Sequence, residues 1–229
     1  MANYRSALPQ LSGDLFLTDA GLETDLIFNH GIEIQEFAAH TLLPDAAGRE
    51  ALANYFRSFL RLACEMGAGF ILDSQTWKAH MHWANDLRAS ADELRAADSV
   101  GLPIVVSFTV ETDGNLPTGQ PLGEAIQAVD EATESVAAYF MVNCAHPDHF
   151  SHVLEDSEWV RRIRGLRCNA SRKSHADLDE SETLDDGDPI ELGSQYKAML
   201  EKMPWVNVFG GCCGSDLRHV TEIARAVIT

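Results

Sequence analysis

Apolar positions along the chain follow two different spacings. In residues 48–68, GREALANYFRSFLRLACEMGA, the residues Leu52, Tyr55, Phe56, Phe59, Leu60 and Ala63 recur at helical intervals, and Gly67 follows as a stop signal. Residues 102–111, LPIVVSFTVE, form instead a β-branched and almost wholly apolar run. Its lack of alternation predicts a strand buried on both faces, as in a parallel sheet. Shorter apolar runs at 15–21, 69–77, 137–147, 163–171 and 205–214 bring the predicted strands to six. Helical patterns lie at 90–98, 123–133, 147–156, 188–202 and 216–228, so strands and helices alternate. That order predicts parallel βα units in an α/β domain. The acidic stretch DLDESETLDDGDP at 177–189 reads as a solvated loop, since its carboxylates do not follow calcium-loop spacing. No linker, internal repeat or low-complexity tract divides the chain, which reads as a single domain over 1–229.

Charge narrows the range of partners. The 229 residues carry 17 Lys and Arg against 35 Asp and Glu, a formal charge of −18. Such a surface repels nucleic acid and anionic membrane and favours small-molecule or protein partners. No apolar run is long enough to span a membrane, and MANYRSALPQLSGD lacks the apolar core of a signal peptide, so a cytoplasmic protein is expected. The basic stretch RRIRGLRCNASRK at 161–173 reads as a strand flanked by surface arginines that balance the acidic loop after it. Five cysteines, an odd number, fit a disulfide framework poorly and leave metal binding, catalysis or plain burial.

The candidate chemistry gathers at the carboxyl ends of the predicted strands, where parallel α/β folds bind ligands. Asp19 ends the first strand, Thr76 the second, Cys144 the fourth, and Cys212 with Cys213 the last. Three thiols from two strands would leave a tetrahedral zinc one open position, as a catalytic site requires. Gly210, Gly211 and Gly214 would let the backbone turn so that both adjacent thiols face one ion. Free cysteine is also a common buried hydrophobe, and adjacent cysteines are not a zinc-finger spacing, so both readings stand on the residues alone. Cys64, on the apolar face of the 48–68 helix, and Cys168 are expected to be structural. His146, His149 and His152 recur at three-residue spacing and read as a helix face or cap. His80 and His82 read as loop or surface residues, with Trp77 and Trp83 near enough in sequence to line a ligand pocket. Residues 114–123, GNLPTGQPLG, lack a phosphate-loop lysine and read as a substrate-facing loop.

Taken together, GGCCG at 210–214, VNCAHP at 142–147 and TDAGLETDL at 18–26 resemble the homocysteine S-methyltransferase family, and 106–126 resembles its S-methylmethionine-type members. The resemblance implies a zinc-dependent (β/α)8 TIM-type barrel that moves a methyl group from a small sulfonium donor to homocysteine, giving methionine. It implies Zn2+ held by Cys144, Cys212 and Cys213. It implies Asp19 at the substrate amino group, Gly21 and Thr76 at its carboxylate, and Asn143 orienting the site. Homocysteine and the methyl donor are the expected partners, with a homo-oligomer left open. A full barrel has eight strands, and the chain passes almost directly from the 90–98 helix to the 102–111 strand. Two βα units, on the order of 60–75 residues, are therefore expected to be missing near 98–99, and the barrel is expected to be incomplete, with about six units. The missing part would carry a glutamate that helps bind the substrate amino group. The alternative function is a catalytically impaired zinc-thiolate protein with a binding role.

Overall fold

A computed structural model describes residues 7–74 and 103–228. Thr76, Trp77, His80, His82, Trp83, the predicted 90–98 helix and the junction near 98–99 lie outside the described residues. The described residues form six strands: β1 (Phe16–Leu17), β2 (Gly69–Phe70), β3 (Ile104–Phe108), β4 (Ala137–Asn143), β5 (Ile163–Cys168) and β6 (Val208–Gly211). They form one sheet in the order β2-β1-β6-β5-β4-β3, and every pair is parallel. The last strand lies beside the first, with Phe16 opposite Val208 and Leu17 opposite Phe209. A complete barrel joins its last strand to its first across such a seam. Among the described residues the two ends of the sheet are β2 and β3, the strands on either side of residues 75–102. The sheet is therefore of TIM-barrel type but open, as expected of an incomplete barrel.

Among the described residues four long helices follow strands. They are α1 (Ala46–Met66), α2 (Leu122–Thr133), α3 (Pro189–Lys202) and α4 (Leu217–Ile228). Local chemistry sets their ends. The Asp45 carboxylate accepts from Gly48 N to start α1, and Gly67, at φ 65, stops it. Asp188 accepts from Ile190 N and Glu191 N to start α3, with Pro189 in the first turn. Leu52, Tyr55, Phe56, Phe59, Leu62 and Ala63 of α1 face the sheet. They join Leu17, Phe140, Val142, Leu166, Phe209 and Tyr196 in the main core, between sheet and helices. The opposite face of β4 places Tyr139 and Met141 with Val208 in a smaller inner cluster, against Leu8, Phe16 and Ile71. Residues 8–14 close that end: Gln10 Nε2 donates to Tyr139 Oη, and Asn207 Nδ2 donates to the Gln10 and Asp14 carbonyls. The alternation along β4 thus fills both an inner and an outer layer.

Several expectations are corrected. Strand β3 is not buried on both faces: it is an edge strand, and Val105 is 36% exposed. Leu60 and Cys64 of α1 are exposed, because residues four apart share one helical stripe and theirs faces solvent, while Leu62 and Ala63 face the core. Residues 147–156 are helical only over Pro147–Phe150. The acidic stretch is partly structural. A short helical turn, His175–Asp179, runs into it, Asp185 accepts from Ser171 Oγ at 2.7 Å, and the Asp186 carbonyl meets His219 Nε2 at 2.7 Å. The predicted runs 15–21 and 205–214 outlast their ladders, because the rim segments Thr18–Gly21 and Cys212–Gly214 are packed loops that share the strands' apolar and small-residue composition.

Candidate metal centre

The carboxyl rim of the sheet brings three sulfurs together. Sγ atoms of Cys144, Cys212 and Cys213 all lie within 4.8 Å of one another. Cys144 and Cys212 are closest at 2.7 Å, longer than a disulfide bond, and all five cysteines are free. Cys144 follows the last residue of β4 with φ 54, a left-handed conformation that costs a non-glycine residue roughly 1–2 kcal/mol. Its backbone is held on both sides. The amide donates to the Arg167 carbonyl at 3.1 Å. The carbonyl accepts from Asn169 Nδ2 at 3.0 Å and His175 Nε2 at 2.6 Å, and Thr109 Oγ1 lies 3.4 Å away.

The tandem pair is fixed from below and beside. Cys212 N donates to the Cys168 carbonyl, and the Cys212 carbonyl accepts from both Ser215 N and Ser215 Oγ. Cys213 O accepts from Ala170 N. Gly21 is part of this packing: a Cβ there would meet the Cys212 carbonyl oxygen at 2.6 Å and Thr24 Oγ1 at 2.4 Å. Only the absence of a side chain lets the end of β1 close on the cysteine turn. Asn143, next to Cys144 in the chain, helps to lower that thiol and accepts from Ser107 Oγ.

Three thiols this close cannot ionise independently. Hydrogen bonds from Cys212 and Cys213 hold the Cys144 thiol well below its ordinary range. The same bonding pushes Cys212 up to about 12 and Cys213 well above the ordinary value, each opposed by the charge already on its neighbour. Cys168 is sealed beneath them, and burial pushes its thiol up to about 12, as a structural cysteine requires. A divalent cation would relieve the crowding of the rim thiols, and soft sulfur donors suit zinc. The donor set therefore fits a thiolate-bound metal.

Beside the sulfurs lies an ionic cluster that sequence reading divided wrongly. Asp19 is 3% exposed, with Arg167 Nη2 at 2.8 Å from Oδ1 and Tyr55 Oη at 3.3 Å from Oδ2. Arg167 also bonds Asp73 and the Gly211 carbonyl. Arg167 is thus not a surface arginine balancing the acidic loop. Its position on β5 places it on the inner face, because Gly165, two residues earlier, lies against Met141 of the inner cluster. A lone arginine between apolar Leu166 and Cys168 is the signal that marked it. Burial raises Asp19 to about 6; Arg167 opposes the rise and Asp73 adds to it. Burial works against the charge on Arg167, but Asp19 and Asp73 more than offset it, so the guanidinium stays charged.

Among the described residues, His146, His149 and His152 bond elsewhere than to the sulfurs. His146 caps the Pro147–Phe150 turn by accepting from Asp148 N, His149 Nε2 meets the Arg172 carbonyl at 2.8 Å, and His152 is exposed. A cavity of about 870 Å³ shares Tyr55 with the Asp19 cluster; Asp25, His30, Asn54, Asp216 and Arg218 also line it.

Fold and site together define a barrel-type α/β protein with a thiol cluster at the carboxyl end of its strands. The chain belongs to the homocysteine S-methyltransferase family, whose sequence profile matches residues 34–227. That span contains all three rim cysteines and begins after Asp19 and Gly21. A methionine synthase of Mycobacterium leprae (strain TN) is 26% identical over 138 residues, covering 55% of this chain. The match spans only 10% of that protein's length. The crystal structure of the homocysteine methyltransferase MmuM from Escherichia coli, in an oxidized form, superposes with a TM-score of 0.53 at 13% identity. It covers 96% of this chain and 99% of that one, and shows the fold. No helix among the described residues is long and apolar enough to cross a membrane.

Proposed function

We propose that the protein is a zinc-dependent methyltransferase that moves a methyl group from a small sulfonium donor of the S-methylmethionine type to homocysteine, giving methionine. Cys144, Cys212 and Cys213 would hold the metal. The observation that carries the reading is the convergence of three thiols from two separate strand ends in a chain of this family. Bound there, zinc would supply Lewis acidity that keeps an incoming thiol deprotonated near neutral pH. The chain's own residues do the rest. Asn143 orients the Cys144 sulfur, and Gly21 keeps the cysteine turn seated on β1. The homocysteine sulfur forms a bond to the donor's methyl carbon as the carbon–sulfonium bond breaks, and the donor's positive charge is lost as its sulfur takes the bonding pair. Holding the two reactants in line is the main contribution of such a site to rate.

Asp19 would receive the substrate ammonium, with Gly21 and Thr76 at the carboxylate. In the present geometry Arg167 already bonds Asp19, so the ammonium must share that carboxylate or turn the guanidinium toward Asp73. We read 1–229 as one such domain lacking two βα units near 98–99. A second reading, a zinc-thiolate protein without turnover, draws on the same two features: the sheet ends at β2 and β3, and Asp19 is already paired. Incubation of the zinc-loaded protein with homocysteine and S-methylmethionine, following methionine, separates the two. Methionine formation that disappears in Cys213→Ser supports transfer; stoichiometric zinc without methionine supports the second reading; absence of zinc rejects both.

A further inference from the structure

We propose that His175 is a positioning residue for the thiolate centre: by donating from Nε2 to the Cys144 carbonyl it holds that residue in the left-handed backbone that points its sulfur at Cys212. The inference rests on the metal-binding reading above. His175 touches no sulfur, and it lies 31 positions after Cys144, on the short turn that follows β5. Its bond to the carbonyl, at 2.6 Å, is the shortest of the contacts to that oxygen. A carbonyl can only accept, so Nε2 carries the hydrogen. The Glu111 carboxylate lies 3.1 Å from Nδ1; it too can only accept, so it holds the ring from its other side when Nδ1 also carries a hydrogen. Glu111 is in turn fixed by its loop, with its amide on the Asn115 carbonyl and its carbonyl on Gly114 N. Ser174 caps the turn that carries the ring by accepting from Asp177 N. These contacts tie the segments after β3, β4 and β5 to one backbone oxygen.

The side chain of His175 is 32% exposed, so apolar burial does not account for its placement. What its bond constrains is Cys144, which has φ 54 and no glycine's freedom to adopt it. Without the clamp, relaxation toward negative φ would turn the Cα–Cβ direction and carry the first sulfur out of the cluster. Partners one layer beyond metal ligands commonly change affinity by about 10–100-fold.

The test compares full-length wild type with His175→Leu, His175→Gln and Glu111→Ala. Zinc affinity is read by competition with a chromophoric chelator, geometry by the thiolate-to-cobalt absorption of the Co2+-loaded protein, and fold by metal-free melting. Removal of the donor in His175→Leu is expected to weaken zinc binding about tenfold or more and to alter the cobalt spectrum. His175→Gln, which retains an N–H, recovers most of both; Glu111→Ala falls between. Metal-free melting stays within about 2 °C of wild type, as for a change that spares the core. Wild-type zinc affinity and cobalt spectrum in His175→Leu overturn the inference while leaving the metal reading standing. A loss of affinity matched by a fall in melting and not rescued by Gln marks general destabilisation and also overturns it. If His175→Leu does not fold, unchanged affinity in Glu111→Ala overturns it. A wild type that binds neither metal rejects the metal reading, and this inference with it.

Discussion

Two corners of one rim meet opposite electrostatic problems. At Cys144, Cys212 and Cys213, three like groups converge, and each added negative charge is opposed by the last. At Asp19, unlike groups have already met: a guanidinium and a phenol occupy the carboxylate. The folded chain bonds a cation directly to the acid, whereas the same Arg167 acts on the sulfurs only as a lesser influence than their bonds to one another. A crowd of like ligands is a site waiting for a cation, whereas a neutralised pair is as much structure as site. The sulfur corner is therefore the stronger functional signal, and any cation entering the acid corner must share or displace Arg167.

The largest effect that would break this contrast lies at the sulfurs. Cys212→Ser is expected to lower zinc affinity by at least about 100-fold, since it deletes a ligand rather than a supporting group. Cys64→Ser, exposed on α1, is expected to leave zinc content unchanged and stability within about 0.5 kcal/mol. Equal zinc in all three proteins, by metal analysis after dialysis, would show that the thiols meet for packing alone.

A second effect concerns the acid corner. Asp19 has a folded pKa of about 6 against an ordinary 3.8, so the folded chain keeps a proton that the unfolded chain releases between those values. Stability of the metal-free protein should then fall as pH rises from about 4 to about 6, by on the order of 3 kcal/mol from this group. Asp19→Asn should remove that part of the slope. Denaturant midpoints across the range test it, and parallel curves for the two proteins would show that Arg167 compensates Asp19 fully.

The smallest effect joins the corners. Gly21→Ala places a methyl group against the Cys212 carbonyl and should cost about 1–3 kcal/mol in thermal or urea unfolding. It should also weaken zinc binding, because the cysteine turn must shift to make room. A variant as stable as wild type would mean that the rim yields more easily than its close packing suggests.

Much of the fold was legible. The βα alternation, the six strands, the stop of α1 at Gly67 and the proline at the start of α3 follow from periodicity and local signals, which act over a few positions. The thiol set was legible only through family motifs, since adjacent cysteines carry no metal spacing of their own. Arg167 was misread because a charge run looks the same whether its members face solvent or the barrel interior. Cys64 and Leu60 were misread because an apolar stripe has edges that only packing reveals.

By itself the sequence determined what is local: which segments extend, which coil, where they stop, and that reactive groups end several strands. Tertiary structure decided what is mutual. It set β6 beside β1 so that Cys212 reaches both Cys144 and Gly21, turned Arg167 inward onto Asp19, and left β2 and β3 as the ends of the sheet. The reason is physical: propensity acts on neighbours in the chain, but charge, close approach and strain at a residue such as Cys144 depend on atoms brought together from far along it.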